Sequence, residues 1–189
     1  MGFLDSLLGR SKPAKPDLDQ LFALPGAAVT LQSAADFAPT GRGSVCYKAA
    51  EGGGFARLQQ DVQALLDADG GPNVEQSTDS YGFTWLLVRH DPDDVAGLVT
   101  DLHAVNSTLE NAGFGPALLC SLVSFRDDGG RLLALVYLYK SGTFYPFAPL
   151  DGQRRDMALE LQVKALLADD LRIEPDLSRW FPVWGAPGL

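Results

Sequence analysis

His90 stands beside Asp91, Asp93 and Asp94, a grouping whose side chains could hold a metal ion or relay a proton. The same aspartates also suit the start of a helix, with Asp91 as N-cap, Pro92 at the first helical position and Asp93 and Asp94 in the first turn. One imidazole among carboxylates falls short of a transition-metal set, so no metal is expected. Cys120 and His103 could be paired as nucleophile and base. Cys120, however, lies among Leu118, Leu119 and Leu122, where burial raises a thiol's pKa and makes it inert. Gly52–Gly54 precedes a helical pattern but lacks both the Lys-Ser/Thr of a phosphate loop and the glycine spacing of a dinucleotide fingerprint. No hydrolase elbow, zinc spacing or kinase-like signature is present, and the expectation is a nonenzymatic protein without a cofactor. His103, Asn106 and Glu110 share one helix face by their spacing. They form either a polar recognition patch or an ordinary exposed face.

Two further groups of side chains suit binding better than catalysis. Phe3, Leu4, Leu7 and Leu8 gather in one arc of a helical wheel within residues 1–10, an amphipathic pattern too short to hold itself helical in water. The stripe must fold against something: the protein's own core, a partner helix or a membrane surface. Arg10, Lys12 and Lys15 follow it with only Asp5 opposing them, a local reversal in a chain whose net charge is −9, and such cations draw a weak helix toward anionic lipid. At the other end Trp180, Phe181 and Trp184 crowd a Pro-containing run without helical period. These aromatics either strap the domain's own core or form a docking strip for a partner.

The 189 residues, 46% of them hydrophobic, suffice for one well-buried core. The acidic balance offers no basic stripe for a phosphate backbone, which argues against nucleic acid as a partner. Cys46 and Cys120 lie in apolar, strand-like runs and read as free buried thiols of a reducing cytosol. Residues 11–26, with three prolines, read as a tether between the first helix and a single domain over 27–189.

Within that domain the pattern predicts strands near 27–33 and 44–50, a helix over 55–69 and a strand pair at 73–78 and 81–90. A long helix then runs from Asp91 to Gly113, followed by the hairpin ALLCSLVSF–DDGG–RLLALVYLYK, a third extended piece GTFYPFAP and a last helix over 154–171. The strand at 131–140 is apolar on both faces, which predicts a central place in the sheet and a cover on each side. Helices separated by hairpins favour an α+β fold: a mainly antiparallel sheet with about three principal helices, largely on one face, preceded by the short amphipathic helix.

Three long phrases, MGFLDSLLGRSKPAKPDLDQLFALP, TDLHAVNSTLENAGFGPALLCSLVSFRDDGGRLLALVYLYKSGTFYPFAP and ADDLRIEPDLSRWFPVWGAPGL, together resemble the PspAB family, PspA-associated proteins of actinobacteria. The resemblance runs nearly end to end and is weakest over 52–79. It implies a cytoplasmic accessory of a phage shock, or envelope stress, system, whose central component PspA is a coiled-coil protein that binds membranes. It brings no catalytic residues. The expected function is an adaptor that binds a protein partner, PspA or a related stress component, with the first helix touching that partner or the inner membrane surface. The alternative is a sensor domain for a small molecule or peptide.

Overall fold

In the computed structural model, residues 16–49 and 74–189 are described, together with the helical residues Arg57, Gln60, Val62 and Ala64 between them. The expected first helix, residues 11–15 of the tether and most of the helix expected over 55–69 lie outside the described residues. A 3-10 turn, Leu18–Ala23, runs directly into α1, Leu24–Ala35. The 3-10 turn agrees with the short helical turn that residues 17–23 admit, whereas α1 replaces the strand expected near 27–33. Leu21, Leu24, Ala27, Ala28 and Leu31 are all buried, and their spacing is helical across Pro25, which sits in the first turn where its missing N–H costs nothing. Asp36, in the left-handed conformation at φ 58°, ends the helix.

Six strands follow as one antiparallel sheet: β1 Ala38–Lys48, β2 Glu75–Thr78, β3 Phe83–Arg89, β4 Leu118–Arg126, β5 Leu132–Leu138 and β6 Thr143–Phe147. Their order is β2-β3-β1-β4-β5-β6, so β1 and β4 form the midline. β5 is paired on both sides, with β4 and β6, but lies one place from the edge and not at the centre. The long helix α2, Val95–Leu109, crosses from β3 to β4 over β1. Gly43 permits this approach, because a Cβ there would meet the Leu102 side chain at 2.9 Å and the Leu122 carbonyl at 3.0 Å. The N-cap of α2 is Asp94, which accepts from the Gly97 N–H at 2.9 Å, and not Asp91. Asp91 instead closes a turn ahead of the helix by accepting from the Asp93 N–H at 3.0 Å. The last helix, α3 Met157–Leu166, is shorter than expected at both ends. Arg154 and Arg155 are taken by a two-stranded ribbon of β7, Pro149–Leu150, with β8, Arg154–Arg155, and Asp156 caps α3 from the Leu159 N–H at 3.0 Å.

The period of two along the strands sorts side chains to two cores. Val45, Leu86, Val123, Leu135 and Tyr137 face the buried residues of α1 and α2, whereas Cys46, Trp85, Cys120, Leu122, Val136 and Tyr145 face the other way. The second face is closed by the C-terminal tail. Residues 172–174 first run along β6, with the Phe144 N–H donating to the Arg172 carbonyl at 2.8 Å and the Glu174 N–H to the Phe144 carbonyl at 2.7 Å, so that this edge is not left open. Trp180 and Ala186 then bury themselves on the second core. A cover on each side of β5 is thus supplied within one chain.

Candidate interaction surface

The chain enters the described fold beside α2. Tyr137 at the sheet end donates its hydroxyl to the Asp17 carbonyl at 2.9 Å, anchoring the entering strand of chain. Five residues on, Phe22 is 50% exposed and its ring lies 4.8 Å from that of His103 on α2. His103 also sits 3.4 Å from the Asp19 carboxylate and 3.3 Å from the Ser107 hydroxyl. Glu110, about two turns beyond His103, is exposed, and its carboxylate lies near the Tyr139 hydroxyl. Burial and this carboxylate together push the Tyr139 pKa up to about 12. Asn106 does not join them. It is buried, donating to the Leu102 carbonyl at 2.7 Å and the Ser121 hydroxyl at 2.8 Å, since its place on the helix turns it onto the sheet. The surface is therefore Asp19, Phe22, His103 and Glu110, an aromatic and an imidazole rimmed by acids. Phe22 has no signal in the sequence that links it to His103, because only the packing of the first turn against α2 brings them together.

His90 lies between two carboxylates, its Nδ1 3.0 Å from Asp94 and its Nε2 2.7 Å from Asp101. Asp101 is the member the sequence reading missed; its spacing of one heptad from Asp94 puts both on one face of α2 and was the available signal. Among the described residues no group of three or more His, Cys, Asp or Glu could hold a metal ion. Partial burial favours the neutral imidazole, but the hydrogen bonds and charges of Asp101 and Asp94 outweigh it and raise the His90 pKa above its ordinary 6.5. The Gly97 N–H and His90 hold Asp94 below its ordinary 3.8. A raised histidine contributes stability that is complete below its unfolded pKa and is lost as pH rises through the folded one; the depressed aspartate loses its share as pH falls. His90→Asn is accordingly expected to cost more melting temperature near pH ~5.5 than near pH ~8.5. An equal loss at both pH values in thermal melts would show that the imidazole is not charged in this pocket.

The aromatic tail is divided in its roles. Trp180 stacks on Tyr145 at 5.9 Å and donates its indole N–H to the Glu174 carbonyl at 3.1 Å, and Trp184 meets Phe147 edge-on at 4.9 Å. Phe181 alone of the three is strongly exposed, at 61%. A separate open cavity of about 320 Å³ lies at the start of β1, lined by Ala38, Pro39, Thr40, Arg42, Arg126 and Asp127. It is formed where β1 bulges away from β4 between Pro39 and Gly43. Among the described residues no helix is long and apolar enough to cross a membrane.

A protein-family model described as PspAB, PspA associated protein B, matches residues 1–188. Comparison with curated proteins finds no match, and neither does comparison with solved structures.

Proposed function

Because the chain belongs to the PspAB family of PspA-associated proteins, we propose that it is a nonenzymatic accessory of a PspA-type membrane stress system, an adaptor that binds PspA or a close functional partner. The observation that carries this reading is the family match, which begins at residue 1 and so includes the stripe of Phe3, Leu4, Leu7 and Leu8 with the following Arg10, Lys12 and Lys15. Among the described residues both faces of the sheet are covered by the chain's own helices and tail, and the half-exposed Phe22 ring beside His103 supports a contact region there in addition to the N-terminal stripe. In this reading the protein is cytoplasmic and peripheral at the inner face of the membrane. The Trp180–Trp184 strip serves the fold first, with Phe181 as its exposed member.

Leu8→Asp, or deletion of residues 1–15, tests the proposal on the full-length protein. Burying one leucine contributes about 1.5–3 kcal/mol, so its replacement by a charge is expected to weaken PspA binding at least ~10-fold. The melting temperature should stay nearly unchanged. Intact PspA binding together with a collapsed melting temperature would mean that the stripe belongs to the core, and would end this assignment. Salt separates the two surfaces: release from anionic liposomes at moderate ionic strength, with retention on PspA, places the main contact on the protein.

The cavity at the β1 bulge supports a second reading, a small-ligand sensor. Its volume lies at the lower end of ligand pockets, and its two guanidinium groups, Arg42 and Arg126, suit an anionic ligand.

A further inference from the structure

Cys46 and Cys120 are direct partners across the β1–β4 pairing, although the sequence separates them by the whole of β2, β3 and α2. Directly opposed residues of an antiparallel pair have Cα atoms about 4.5–5.5 Å apart, inside the roughly 4.4–6.8 Å window of a disulfide. Both thiols are free, they share one buried cluster, and the two residues are 3% and 9% exposed respectively. The pairing register slips immediately after Cys46, between Cys46 and Tyr47, which gives the β1 backbone local latitude at this point. Both cysteines share a buried cluster with Tyr145 and Trp180, and Trp180 stacks on Tyr145, so the pair lies beneath the C-terminal tail.

We propose that Cys46 and Cys120 are a modification site: a dithiol that a peroxide-class oxidant converts to a reversible disulfide across the midline of the sheet. Cys120, which its leucine neighbours alone mark as inert, is the more exposed residue of the facing pair and supplies the attacking sulfur. Its Sγ bonds to one peroxide oxygen as the O–O bond breaks, and the departing hydroxide takes the thiol proton to leave as water. Cys46 Sγ then attacks the resulting sulfenic sulfur. The S–O bond breaks, and the leaving hydroxide carries off the Cys46 proton as a second water. One peroxide is reduced to two waters and two thiols are oxidised to one disulfide. Cys46 takes the second role because the β1–β4 register sets it directly opposite Cys120, and it must give up its proton as its sulfur attacks, since the thiolate is the nucleophile. The bond ties the two halves of the sheet and closes the loop that carries β2, β3 and α2, a constraint placed chiefly on the unfolded chain.

Full-length protein, reduced and desalted, is treated with hydrogen peroxide, then alkylated and digested without reductant. The expected result is loss of both alkylatable thiols in a monomer, a cross-linked Cys46–Cys120 peptide, and a melting temperature raised by roughly 5–15 °C that dithiothreitol reverses. Thiols that stay alkylatable under conditions that oxidise the urea-unfolded chain would overturn the proposal. So would disulfide-linked dimers or sulfinic acid in place of the cross-linked peptide. Cys46→Ser and Cys120→Ser should each abolish the peroxide-dependent rise in melting temperature, and its persistence in either would overturn the assignment. Where a serine variant does not fold, the peptide map of the unaltered protein decides.

Discussion

Trp180→Ala is expected to destabilise the protein by about 3–5 kcal/mol, while Phe181→Ala, one residue on, stays within about 0.5 kcal/mol of the parent. Trp180 is 3% exposed and Phe181 61%, so the adjacent aromatics differ in burial far more than in chemistry. Truncation at Trp180 removes the stack on Tyr145 and leaves the Glu174 carbonyl without its indole donor. It also loosens two neighbouring ties of the tail, from Arg155 to the Trp180 carbonyl at 2.6 Å and from the Tyr145 hydroxyl to the Phe181 carbonyl at 2.7 Å. For a chain of this size the loss corresponds to a fall in melting temperature of roughly 6–20 °C. Denaturant unfolding of both variants measures the contrast. Equal small effects would mean that the tail does not cover the second face in solution.

Glu160→Ala is expected to be of similar size, about 3–5 kcal/mol, for an electrostatic reason. Glu160 is fully buried, and its carboxylate accepts from the Ala148 N–H at 2.9 Å and from Arg155 Nε at 3.0 Å, with the Arg155 Nη2 ion pair also at 2.9 Å. Removing the carboxylate leaves the half-buried guanidinium of Arg155 without its counter-charge and the Ala148 N–H without its acceptor. The cost is that of isolating a charge and a donor, not the net worth of the pair. Replacing both residues, Arg155→Met with Glu160→Leu, should therefore recover much of the loss, although the tie from Arg155 to the tail is gone. A double variant as unstable as the sum of the singles would show that the ion pair itself, and not its disruption, holds α3 to the tail.

The strands from Phe83 to Phe147 were legible because alternation, aromatic and branched residues, and the DDGG turn all point to the same assignment. β5 announced two covers by being apolar on both faces. The sequence hides α1 because Pro25 and Gly26 look like punctuation, yet the helical spacing of Leu21, Leu24, Ala27, Ala28 and Leu31 continues across them and burial rewards it. The capping residue of α2 was displaced by one turn for a related reason. Asp91 and Asp94 are equally good caps in isolation, and the Pro92 turn, which hands the chain from β3 to the helix, decides between them.

The candidate surface divides in the same way. His103 and Glu110 lie where helical spacing puts them. Asn106, on the same arc by count, turns inward because α2 is rotated on the sheet so that Ser121 meets it. Phe22 and Asp19 reach His103 only through the docking of the first turn on α2.

From its own residues the chain determined its membership of the PspAB family, its α+β class, its mainly antiparallel sheet and the positions of most strands, because those follow from local pattern and from phrases of sequence. Tertiary structure alone decided that Cys46 faces Cys120, that His90 is held between Asp94 and Asp101, and that Trp180 closes the second face. Each of these is a meeting of residues far apart in the chain or on different elements. Strand register and helix rotation set such meetings through the summed packing of a whole core, which no local stretch of sequence contains.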